Sequence, residues 1–176
     1  MPEPTTPLPV EKFAPAADER TTVMSFLDHY RVVLARKIEG ITEEEARRAA
    51  CPPSDLSLLG LVRHMADVER NWARRSFLGE AYRPIFHAEA HPEGDIDGDF
   101  HPPADATIAE ALDAYWAEIA DADAIYAAAA LEDLEARERD PQHSLRWILV
   151  HLVEEYARHC GHADLLRQAI DGVVDD

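Results

Sequence analysis

Apolar residues recur at spacings of three and four along four long stretches of this chain. No segment shows the strict alternation of a half-buried strand. Val23, Phe26, Leu27, Tyr30, Val33, Leu34 and Ile38 mark the first stretch, which starts at Asp18 and closes at Gly40, a glycine placed to cap a helix C-terminus. Thr42 and Glu45 then spell a capping box for a short helical piece that Pro52 and Pro53 end. The second stretch runs from near Ser57 to near Gly79 with Leu58, Leu61, Val62, Met65, Val68 and Trp72 inward. The third follows the Thr107/Glu110 capping box through Ile108, Ala111, Leu112, Tyr115, Ile119, Ala122 and Ile125. Asp140 and Pro141 offer an N-cap and first-turn proline for the fourth, which is periodic from Leu145 to Ile170 before Gly172. The pattern predicts an all-α four-helix bundle over residues 18–176.

Two segments fall outside that pattern. Residues 1–17 hold five of the twelve prolines and predict an extended lead-in. Residues 80–106 form a long connection between the second and third helices, with Glu93, Asp95, Asp97 and Asp99 in an acidic run. Such connections are functional lids or disordered when they exceed about 12–15 residues. The run begins like a calcium loop, but Phe100 stands where an EF-hand needs glycine and no bidentate glutamate follows, so a solvated acidic lid is expected.

Charge and length bound the function. At 176 residues the chain suits one domain. Seventeen Lys+Arg against 35 Asp+Glu leave a net charge of −18, which opposes phosphate backbones and anionic lipid, so nucleic acid and membrane are not expected partners. No stretch approaches the ~18 apolar residues of a spanning helix, and the opening MPEPTTPLPVEKF lacks a signal peptide's basic and apolar regions. Cys51 and Cys160 make no CxxC motif. A cytoplasmic protein with reduced thiols is expected.

The chemistry concentrates on the fourth helix. Its inward seam steps through Ile148, Leu152, Glu155, His159, His162 and Leu166, so three polar groups occupy core-facing positions. A carboxylate there costs several kcal/mol unless paired, hydrogen-bonded or coordinated. Glu155 and His159 lie at i and i+4 and project to one spot. On the second helix His64 borders the apolar face, roughly 85° from its centre. Two imidazoles and one carboxylate with open positions suit catalytic Zn²⁺, non-haem Fe²⁺ or Ni²⁺. The plainer readings are a buried Glu155–His159 ion pair and a half-buried His64 bonded to a carbonyl. His162 is expected to line the pocket or support a ligand, since three ligands within two turns would crowd the site. His151 and His29 are assigned no role, and Trp72, Tyr115, Trp116 and Trp147 are assigned to core or dimer packing. Ferritin-like di-iron chemistry is excluded because no histidine has glutamate three residues before it.

The segments LVRHMADVERNW and HLVEEYARHCGHADLLRQAIDG resemble the DinB-like (YfiT-like) metalloenzyme superfamily from about residue 20 onward. The resemblance implies a DinB-like four-helix bundle, often dimeric. Its metal triad joins a helix-two histidine to an H-x3-H or E-x3-H pair on the last helix, which maps onto His64, Glu155 and His159. The E-x3-H form resembles the mycothiol-dependent maleylpyruvate isomerase branch, and related members use bacillithiol or glutathione. The implied activity is a metal-dependent transferase that activates a low-molecular-weight thiol, with mycothiol the nearest example, for S-transfer to a small electrophile. That isomerase carries an additional C-terminal domain with no counterpart here, so isomerisation itself is not implied. Zinc is the first expected metal, with nickel or iron as alternatives. A homodimer is expected, since large apolar and aromatic side chains also flank the stripes. A structural metal-binding bundle and a metal-dependent hydrolase are the competing functions. Proton competition at His64 and His159 is expected to weaken metal binding below pH ~6.5.

Overall fold

A computed structural model of the chain describes residues 13–81, 83–86 and 97–174. Its helices are α1 Glu19–Arg36, α2 Glu43–Arg47, α3 Leu58–Arg70, α4 Ile108–Ala127 and α5 Leu145–Asp171, and α3 continues as a π-helical segment, Asn71–Phe77. Among the described residues there is no strand, only an isolated bridge between Leu134 and Ser144. None of these helices is long and apolar enough to cross a membrane.

Side-chain caps set the helix starts. Asp18 accepts from the Thr21 amide, Ser57 from Gly60, and both Thr42/Glu45 and Thr107/Glu110 form reciprocal capping boxes. The last helix departs from expectation. Ser144, which accepts from the Trp147 amide, is its N-cap, and Asp140 and Pro141 lie upstream of the helix. Ser144 supplies the hydroxyl next to the first buried residue, Leu145, whereas Asp140 is too early to reach the amides of this first turn. At its other end α5 stops at Gly172, whose φ of 79° is the left-handed conformation glycine adopts freely.

The four long helices bury one continuous apolar core, with α3 packed chiefly on α4 and α1 on α5. Leu27, Leu34, Leu61, Met65, Tyr115, Leu149, Leu152 and Tyr156 are fully enclosed. Phe26 is an exception to its expected stripe, whereas Trp72 packs partly buried against the core. Phe26 is exposed and meets Phe13 at 4.4 Å between ring centroids, and Trp72 is half-buried against Trp147 and His151. Phe13 also packs on His29 at 4.4 Å, so the end of the proline-rich lead-in lies on α1; residues 1–12 fall outside the described residues.

One polar network runs through the core. Arg31 of α1 donates twice to the Glu69 carboxylate of α3, at 2.8 and 3.0 Å, and Tyr156 of α5 donates to the same carboxylate at 2.8 Å. Tyr115 of α4 donates to the Arg31 carbonyl at 3.0 Å. Every long helix therefore contributes a group to the network. By fixing the rotation of α3 and α5 it fixes the faces that carry the polar seam.

Candidate metal centre

His64 lies near the middle of α3, where buried Leu61, Val62 and Met65 seat the helix and leave the imidazole at the border of the core with 18% of its side chain exposed. On α5 the buried Leu152, Tyr156, Ala163 and Leu166 turn the seam inward, so that the side chains of Glu155 and His159 are only 17% and 8% exposed. The spacing of four does what helical geometry requires: Glu155 Oε2 lies 3.5 Å from His159 Nε2. The His64 ring stands edge-on to His159, centroids 4.8 Å apart, and one ligand atom each from His64, Glu155 and His159 falls within 4.8 Å of the others. These three residues, 91 to 95 positions apart in sequence across the two helices, thus converge.

Each of the three also has a polar neighbour outside the trio. His64 Nδ1 is 2.7 Å from Asp99 Oδ2. Glu155 Oε1 is 3.4 Å from His151 Nε2, and Arg158 stands 3.7 Å from its other oxygen. His159 Nδ1 is 3.4 Å from His162 Nδ1, so the half-buried His162 adjoins the cluster as a supporting neighbour. Phe100 stacks on His64 at 4.0 Å between centroids and 21° between planes.

Burial, and then the positive fields of His64, His162 and Arg158, push the His159 imidazolium down to about 3, against a smaller opposing pull from Asp99. His159 is thus held neutral well below the ordinary imidazole range.

The donor set fits a divalent ion. Bonds of about 2.0–2.2 Å to nitrogen and oxygen put tetrahedral ligand atoms roughly 3.4 Å apart, which is the Glu155–His159 spacing. One carboxylate and two neutral imidazoles match the chemistry of such a site, and His159 is already in the required neutral form. A second group, His151, Glu154 and Glu155, also gathers within 4.8 Å but shares Glu155; its Glu154 is exposed and paired with Arg158.

Two residues differ from their sequence reading. Asp99 is not part of a solvated lid: it is 8% exposed and bonded to His64. Asp95 and the rest of 87–96 lie outside the described residues. Phe100, a large aromatic directly after the acidic run, was the available signal that this stretch docks on the bundle. His151 is not an idle surface histidine, since it bridges Glu154 and Glu155 at 3.4 Å each and stacks on Trp147. Its position four residues before Glu155 was the clue. Trp147 is 44% exposed and sits between His143 and His151.

No curated protein matches the chain. Among solved structures, the crystal structure of a conserved protein from Enterococcus faecalis superposes with a TM-score of 0.64 over 90% of this chain and 100% of that one. At 17% identity that likeness concerns the fold alone. Residues 22–172 match the sequence family described as mycothiol-S-transferase, a span that takes in α3, α4, α5, all but the first three residues of α1 and every residue of the cluster, and the chain belongs to that DinB-like family.

Proposed function

We propose that this chain is a metal-dependent mycothiol S-transferase whose divalent ion, zinc first and nickel or iron as alternatives, is held by His64, Glu155 and His159. The observation that carries the reading is the approach of these three ligand groups within 4.8 Å in a chain of the mycothiol-S-transferase family. Two of the three sit on one helix and the third on another, so the protein supplies three ligands and leaves further coordination positions for substrate and water.

When bound, a divalent ion acts as a Lewis acid that lowers the pKa of a coordinated thiol into the neutral range. The chain's own residues supply the rest. His159 is kept neutral by its surroundings, and Glu155 contributes the negative charge that favours a cation at this spot. The half-buried position excludes part of the solvent and strengthens both effects. The thiol gives up its proton to solvent; its sulfur then forms a bond to an electrophilic carbon, whose leaving group or adjoining π-system takes the displaced electron pair. The electrophile enters beside the connection that carries Asp99 and Phe100.

The proposed setting is the cytoplasm, where a reducing pool keeps such a thiol unoxidised. A homodimer is part of the proposal, supported by Trp147, Val150 and Leu165, large apolar side chains exposed on α5. Calorimetry in buffers of different ionisation enthalpy tests the reading. Mycothiol added to zinc-loaded protein should give a heat that depends on the buffer, because its thiol proton is released, and metal-free protein should give none. Absence of binding by mycothiol, bacillithiol and glutathione would leave a non-catalytic metal-binding bundle as the better account.

A further inference from the structure

We infer that Asp99 is a positioning residue for the metal centre: its carboxylate keeps the proton of His64 on Nδ1 and so leaves Nε2 as the ring's free lone pair for a cation. The inference rests on the metal-site reading above and deepens it.

A neutral imidazole carries one proton, on either nitrogen, and the hydrogen bond made by one nitrogen decides the form. Here the choice is imposed from outside the helix. Asp99 Oδ2 is 2.7 Å from His64 Nδ1, the short range of a bond with a charged acceptor, and Asp99 is 8% exposed. A buried carboxylate so placed accepts the imidazole proton, because facing a lone pair would leave both groups unsatisfied.

The turn that carries Asp99 is itself pinned to the bundle. Phe100 stacks on the same imidazole at 4.0 Å, and the next residue, His101, reaches Asp55 with its Nε2 at 3.1 Å. On α3 a Cβ at Gly60 would lie 2.3 Å from the Phe100 carbonyl oxygen, so only glycine admits this close approach. Gly60 is one helical turn before His64. The turn therefore grips α3 through the missing side chain of one residue and both the face and the Nδ1 edge of another. A carboxylate behind a ligating histidine fixes the ring and raises its basicity, and loss of such a partner weakens metal binding about 10–100-fold.

The test pairs zinc affinity, measured by competition with a chromophoric chelator, with the His64 tautomer read by long-range ¹H–¹⁵N NMR on the metal-free full chain. Wild type is expected to show the proton on Nδ1. Asp99→Ala is expected to mix the two tautomers and to weaken zinc about 10–100-fold with unchanged helical circular dichroism. Asp99→Asn, whose amide oxygen still accepts from Nδ1, is expected to keep the tautomer and recover most of the affinity. Retention of wild-type affinity and of a single Nδ1 tautomer in Asp99→Ala would overturn the inference, and so would Asp99→Asn binding as weakly as Asp99→Ala. If wild type binds none of zinc, nickel and iron(II), the proposed function fails, while the NMR arm still decides whether Asp99 sets the tautomer.

Discussion

Arg31 and Glu69 face each other in the middle of the bundle through two nearly parallel hydrogen bonds, with side chains only 1% and 0% exposed. The Glu69 carboxylate holds the Arg31 guanidinium charged despite complete burial. Glu69→Ala strands a buried cation and should cost about 3–5 kcal/mol. Tyr156→Phe removes only the third bond to that carboxylate and should cost about 1 kcal/mol. Denaturant midpoints measure both. Equal effects would contradict the view that the ion pair, rather than the hydroxyl, dominates the network.

Acid should destabilise the metal-free protein through His159. The unfolded chain takes up the proton near pH 6.5, whereas the folded one holds out to about 3. Between those values the unfolded state binds more protons, so stability falls as pH drops, by at most about 1.4 kcal/mol per pH unit from this residue. His159→Gln should flatten the stability profile in that window, and an unaltered slope would place His159 in a more solvated setting.

Cys160 should be chemically silent. Burial, reinforced by the charge of Asp164 against a smaller effect of Lys37, pushes its thiol up to about 12, and it is 4% exposed. Iodoacetamide at pH 8 should label it only in denaturant. Labelling in the folded protein at the rate of a free thiol would contradict this burial.

Gly60→Ala should push the Phe100 carbonyl away, because the new methyl would sit 2.3 Å from its oxygen and the clash is with backbone. The expected result is a destabilised docking of the Asp99 turn and weakened zinc binding, with the remaining helices intact by circular dichroism. Wild-type zinc affinity in this variant would show that the turn relocates without consequence for His64.

The sequence exposed the four long helices because each buries one stripe, and the stripe period is a local property. It exposed Glu155 and His159 for the same reason: polar groups on a core seam stand out against Ile148, Leu152 and Leu166. Asp99 was hidden because its meaning lies 35 residues away, in His64, and an acid within an acidic run carries no local sign of burial. The Arg31–Glu69–Tyr156 network was hidden in the same way, since three helices must pack before any partner is defined. The π-helical segment Asn71–Phe77 also escaped, because an apolar period over seven residues does not separate a wider turn from an α-helical one. Asp140-Pro141 is the stronger local cap signal but lies too far from Leu145, which leaves Ser144 as the cap.

Metal content measured on purified protein after zinc loading and desalting tests the central claim most directly. The account predicts about one ion per chain in wild type and near none in Glu155→Ala, His159→Ala or His64→Ala, each with its helical signal retained. Full retention of the ion in both Glu155→Ala and His159→Ala would contradict the proposed site.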